Sequence, residues 1–242
     1  MSRVDNVVER LGTEIVNCKR KCDGVRCDQS SGYYPRNFFL DPGDSFEVEA
    51  CVVGRNPGSS SGLERELYKC LAERREDANA TYKDCVRVWN SLIEIEYFRR
   101  PRHLLKELGL ATDRTGFLWT EVVFCESETQ RIPAETLLNC RQFLERILFD
   151  EKLVPEGRPI LCLGNDAFEN VRELVGKRNR WKVIRVYHPT GSRAFANCFA
   201  KQRKKRLTDR PLKGHLKDRF RRLVGEAQTY VCALEPSRVR AL

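Results

Sequence analysis

The sequence predicts an α/β fold: a doubly wound, central four-stranded and mainly parallel sheet with helices on both faces. Three observations carry this. Four short apolar runs are bounded by turn residues, two of them are followed by segments with helical spacing, and a long charged stretch of helical composition separates the first run from the second. Near-continuous apolar runs are what parallel strands buried on both faces require, and alternation with helices implies βαβ crossovers.

The first strand is read at residues 46–54 (FEVEACVVG), followed by a helical insertion at about 63–109, rich in Glu, Lys, Arg and Leu with only Pro101 to interrupt it. Residues 116–124 (GFLWTEVVF) form the second strand. The helix over 132–149 has Pro133 in its first turn, where a missing N–H is tolerated, and Leu137, Leu138, Phe143, Leu144, Ile147 and Leu148 at helical spacing. Residues 158–164 (RPILCLG) form the third strand, and 165–175 the next helix, with Asn165 as N-cap and Phe168, Val171, Leu174 and Val175 as its apolar stripe. Residues 182–187 (KVIRVY) form the fourth strand. The expected organisation is one α/β domain over 1–200 and a basic, helical C-terminal extension over 201–242 packed on it.

Composition narrows the function. Of 242 residues, 41% are hydrophobic and 32% charged, which fits a folded chain rather than a disordered one. No apolar run approaches the roughly 20 residues of a membrane helix. The charged N-terminus lacks the apolar core of a signal peptide, so the expectation is a cytoplasmic or nuclear monomer with no membrane partner. Lysine and arginine number 44 against 34 acidic residues, a net charge of +10 that attracts polyanions, DNA first among them. Residues 201–222 alone hold eleven basic side chains and two acids, Asp209 and Asp218. Eleven cysteines without an export signal argue against a disulfide framework. Cys51 and Cys162 lie inside apolar strands and read as core; Cys70, Cys85, Cys198 and Cys232 read as helix or surface residues. Cys18, Cys22 and Cys27 group near the N-terminus, and Cys125 and Cys140 follow the second strand. Soft thiolates gathered in this way select zinc or an iron–sulfur cluster.

Two loops stand at the C-terminal ends of strands, where a doubly wound sheet binds its ligands. One is Gly54-Arg55-Asn56-Pro57-Gly58, the other His188-Pro189-Thr190-Gly191-Ser192-Arg193. Taken singly, the first is a tight βα turn and His188 a structural hydrogen-bonding group. Together they are far more specific.

Here the sequence resembles the uracil-DNA glycosylase superfamily. GRNPGSSSG, from Gly54, looks like its G-x-N-P-G motif, and HPTGSR, from His188, its H-P-S-x-x-R motif. Val122-Val123-Phe124-Cys125, Arg131-x-Pro133, Cys140-x-x-Phe143-Leu144 and the segment from Ile160 to Ala167 are similar to motifs of the iron–sulfur branch. The likeness runs in order from about Cys18 to Arg193. It implies a monofunctional DNA glycosylase that hydrolyses the N-glycosidic bond of uracil or another deaminated base. Asn56 would position the attacking water and His188 would stabilise the anionic leaving base. Gly54, Arg55, Pro57, Gly58, Glu121, Thr190, Gly191, Ser192 and Arg193 would line the substrate site. Cys18, Cys22, Cys125 and Cys140 would hold a [4Fe–4S] cluster, with Cys27 the alternative to Cys18 or Cys22 and zinc the rival to iron. One departure stands out: the branch's T-N-V-V reads Thr120-Glu121-Val122-Val123 here. A carboxylate cannot donate to a uracil carbonyl unless protonated. Glu121 therefore reads as an acceptor for a base amino or imino group, as a solvent-turned strand-end residue, or as the mark of a non-catalytic iron–sulfur nucleic-acid-binding protein on the same fold. Tyr33, Tyr34, Phe38 and Phe39 are candidates for stacking on the base.

Overall fold

A computed structural model describes residues 3–41, 48–57, 62–73, 80–92, 116–129, 131–176, 181–186 and 230–231. The helix α1 (Arg3–Val16) opens the chain. The short strand β1 (Val25–Arg26), the strands β2 (Phe39–Asp41) and β3 (Val48–Gly54), and the helices α2 (Gly62–Glu73) and α3 (Tyr82–Leu92) follow. Then come β4 (Gly116–Glu121), β5 (Glu126–Ser127), α4 (Ala134–Glu145), β6 (Pro159–Leu163), α5 (Asn165–Val175), β7 (Lys182–Val186) and β8 (Tyr230–Val231).

Among the described residues the main sheet has six strands in the order β2-β4-β3-β6-β7-β8. The four expected strands are its centre, β4-β3-β6-β7, and every pairing between them is parallel. Two edges extend the expected four: β2 runs antiparallel to β4, and β8 parallel to β7. The fold is therefore α/β with a mixed, mostly parallel sheet.

Period-two alternation sends successive side chains to opposite faces. Cys51, Val53, Leu118, Ile160, Cys162 and Val183 join one buried cluster with Val8, Leu11 and Ile15 of α1, Phe143 and Leu144 of α4, and Phe168 and Val171 of α5. Ala50, Val52, Phe117, Trp119, Leu161, Leu163, Ile184 and Val186 join the other, with Tyr68 of α2 and Val88 and Trp89 of α3. Both faces are covered, which is why β6 is apolar at all of its positions.

Two local expectations are corrected. Gly164, not Asn165, caps α5: it holds a φ of 93°, a conformation open to glycine, and no side chain caps the helix. Asn165 is the first helical residue, and its Oδ1 accepts from Arg185 Nη1 at 2.7 Å. Cys85, read as a helix or surface residue, is fully buried on α3, where Asn37 Nδ2 donates to its sulfur.

Candidate functional site at the C-terminal edge of the sheet

The two central strands β3 and β4 end side by side, with Gly54 opposite Glu121. The pairing continues into the loops: Val122 N–H donates to the Gly54 carbonyl at 2.9 Å and Val123 N–H to the Arg55 carbonyl at 3.0 Å. This ladder fixes the start of the loop that carries Asn56. Asn56 Nδ2 donates to the Pro57 carbonyl at 2.7 Å, which orients the amide and leaves its Oδ1 as an acceptor. Pro57 is buried, and Arg55 pairs with Asp166 in the first turn of α5, Nε to Oδ2, at 3.0 Å. Arg55 therefore ties this loop to the next βα unit.

Glu121 is not turned to solvent; it is only 2% exposed. Its Oε1 accepts from Trp119 Nε1 at 3.2 Å, and its Oε2 has no hydrogen-bond partner among the described residues. Oε2 lies against the Cα of Gly54, where any Cβ would overlap it. The glycine is required here for close approach, not for a turn. Arg36 is nearby, held by two hydrogen bonds of 2.6 Å, Nε to Glu64 Oε1 and Nη2 to Glu64 Oε2, with both side chains largely buried. Burial drives the Glu121 carboxyl from its ordinary 4.5 up to about 8, against the opposing pull of the Trp119 hydrogen bond and the Arg36 charge. Held protonated well above the usual carboxylate range, it can donate as well as accept.

The thiols form a second centre. The chain after α1 turns back through Gly24, whose φ is +72° and whose Cα abuts Pro133, so a side chain is excluded there. Thr136 Oγ1 donates to the Asp23 carbonyl at 2.8 Å, fastening this hook to α4. β1 then pairs antiparallel with β5, Arg26 opposite Glu126, and the next step of that register brings Cys27 to Cys125. Their thiols share a hydrogen bond, which pushes Cys125 far up and pulls Cys27 down. Cys18 is raised by burial and by its neighbours Cys27 and Cys22, and Cys140 rises to about 12, first by burial and then by Cys22 and Cys18. Cys18, Cys22, Cys27, Cys125 and Cys140 are thus electrostatic neighbours, all five free thiols. Among the described residues, no three His, Cys, Asp or Glu side chains are arranged to hold one metal ion. The donor chemistry fits a thiolate-bound group nonetheless: buried thiolates need a cation to offset their desolvation.

Gly58, His188, Thr190, Gly191, Ser192 and Arg193 lie outside the described residues, as do 201–222 and the later part of the insertion. β7, which runs parallel to β6 and β3, ends at Val186 on the same edge as Gly54 and Glu121. Three of the four candidate stacking aromatics are core: Tyr34 stacks on Tyr68, Phe38 on Tyr82 and Phe39 on Trp89. Tyr33 takes hydrogen bonds on its hydroxyl from Arg26 and Arg65. Sequence reasoning missed Arg36 and Glu64, because no local pattern links residues 28 and 85 positions apart, and Trp119, which read only as a strand residue although it lies two positions before Glu121 on the same face.

Compared with protein-family models and with curated proteins, the chain matches none. Among the described residues, no helix is long and apolar enough to cross a membrane.

Proposed function

We propose that this protein is a monofunctional DNA glycosylase that hydrolyses the N-glycosidic bond of a deaminated base and leaves an abasic site. The observation that carries the reading is the juxtaposition of Asn56 and Glu121 at the C-terminal ends of two paired parallel strands, the edge at which β7 also ends. Base departure leaves an oxocarbenium-like sugar and an anionic base. The reaction therefore needs a group to hold water and a group to stabilise the departing anion. Asn56 Oδ1, with its amide nitrogen engaged by Pro57, is the water acceptor, and His188 supports the base. The substrate base leaves the helical stack to reach this edge, or comes from a single strand. Exposed Lys19, Arg20 and Lys21 on the hook and the basic run 201–222 suit the phosphate backbone.

A panel of oligonucleotides carrying uracil, hypoxanthine or xanthine, followed by alkaline cleavage of abasic sites, tests the reading. Excision of at least one of them is expected. Asn56→Ala and His188→Ala should each lower the single-turnover rate by roughly 10²–10³-fold, the usual effect of removing one preorganised group. DNA affinity should persist, because phosphate contacts carry most of it. Undiminished excision in both variants would remove these two residues from the site. A wild-type protein inactive on the whole panel yet still binding DNA would favour the non-catalytic nucleic-acid-binding protein.

The same reading assigns the thiol centre to a [4Fe–4S] cluster, held by Cys125 and Cys140 with two of Cys18, Cys22 and Cys27. Such a group would fasten the N-terminal hook to the sheet. Anaerobically purified protein is expected to be brown and to contain iron and acid-labile sulfide in equal amounts. Colourless protein with stoichiometric zinc would exchange the metal and keep the ligands. Cys125→Ser should lower thermal stability as well as iron content, because lost ligation is lost folding energy.

A further inference from the structure

Glu121 is a charged residue type placed where a charge is hard to keep. It is almost wholly buried, one oxygen is held by Trp119, and the other has no partner among the described residues. The groups that face it come from three elements. Trp119 of β4 donates to Oε1; Gly54 of β3 offers only its Cα; Arg36, before β2, carries the nearby positive charge. Glu64 and Tyr68 of α2 stand around that arginine, and Glu64 already holds it by two hydrogen bonds. Arg36 is compensated without Glu121, so it does not compel the carboxyl to ionise. Because Trp119 N–H can only donate, Oε1 must accept, and the acid's proton belongs on Oε2. An O–H there lies against a bare glycine Cα, two residues before Asn56, with its hydrogen-bonding capacity unspent.

We propose that Glu121 is the specificity-determining residue of this site, its acid O–H donating from Oε2 to the carbonyl oxygen that deamination leaves in place of a base's amino group. The inference rests on the glycosylase reading and deepens it by naming the group that tells a deaminated base from its parent. A buried donor without an acceptor is unfavourable until one arrives, and a base carbonyl supplies it. The parent amino base presents N–H at the same point. Donor would then face donor, and both would be stranded without water. Uracil and cytosine, or hypoxanthine and adenine, differ at this exocyclic atom and at the protonation of the ring nitrogen beside it, and a site built to pair a polar atom rejects the analogue that lacks it.

The test compares wild type, Glu121→Gln and Glu121→Leu on oligonucleotides carrying either uracil or 2-pyrimidinone, the uracil analogue without the exocyclic oxygen that the acid would bind. Wild type is expected to favour uracil by about 10- to 100-fold in kcat/KM, the discrimination typical of one well-made polar contact to a base. Glu121→Leu should lose most of that ratio, and Glu121→Gln, whose amide keeps a donor, should recover it. Between about pH 7 and pH 9 the wild-type ratio should fall as the acid ionises, while the Glu121→Gln ratio stays level. Binding of an abasic-site oligonucleotide by each variant confirms that it has folded. Equal ratios in all three proteins, with excision active, would overturn the inference and leave the glycosylase reading standing. Inactivity of wild type on every deaminated base would overturn both.

Discussion

Glu64→Gln is expected to destabilise the fold by about 3–5 kcal/mol, seen as a lower urea midpoint with an unchanged slope. The substitution leaves the Arg36 guanidinium buried, with its two short hydrogen bonds to a carboxylate lost. Solvent cannot make up the difference, because Arg36 is 13% exposed and Glu64 3%; only Glu121, by ionising, can recover part of it. Arg36→Leu should also destabilise the fold, because the Glu64 carboxylate loses both hydrogen bonds that it accepts from the guanidinium. Replacing both, as Arg36→Leu with Glu64→Leu, should recover most of the loss, since two apolar groups need no partner. A loss under about 1 kcal/mol in either single variant would mean that the pair behaves as an exposed one. The position of the pair makes the result informative about the site. Arg36 N–H donates to the Phe124 carbonyl at 2.7 Å, beyond the end of β4, so this ion pair braces the edge on which Glu121 lies.

How much of this was legible in the sequence depends on whether the cause is local. β6, PILCL, is buried at every position and reads as a strand without help from the rest of the chain. The same holds for β3, β4 and β7, and for α5, whose apolar stripe repeats at helical spacing; α4 is a helix as read, but Leu138, expected on its apolar stripe, is exposed, and Thr136 and Cys140 are buried with Phe143 and Leu144. The edge strand β2 and the ribbon of β1 with β5 are two or three residues long, too short for any period, and exist because of partners about 80 to 100 positions away. Yet that ribbon decides which thiols meet: it brings Cys27, weighed only as an alternative to Cys18 or Cys22, directly to Cys125. The loop with Asn56 was legible because glycine and proline mark it. The burial of Glu121 was not. Glutamate at a strand end ordinarily faces water, and the reasons it does not here, Gly54 across the ladder and Trp119 two residues earlier on the same face, follow only from the pairing register.

That burial carries its own pH signature, independent of any activity. In the unfolded chain the Glu121 carboxyl loses its proton near 4.5, whereas in the folded protein it keeps the proton up to about 8. Between those values the folded state binds more protons than the unfolded state, so stability falls as pH rises. Below the unfolded value the contribution is fully present; above about pH 8 it is lost and no longer changes. The difference between the two pKa values corresponds to on the order of 5 kcal/mol across the window. Glu121→Gln removes the titrating proton while its amide oxygen still accepts from Trp119. The variant should match wild type near pH 4 and exceed it progressively through neutrality, with the full gain near pH 8, as measured by urea unfolding at each pH. Equal pH dependence in the two proteins would show that Glu121 titrates as an ordinary solvated carboxylate. The Glu64→Gln background sharpens the expectation: with Glu64 neutral, Arg36 has Glu121 as its nearest carboxylate, so Glu121 should ionise at lower pH. The gain from Glu121→Gln should then shrink or change sign, because in that background the glutamate has become the counter-ion of Arg36.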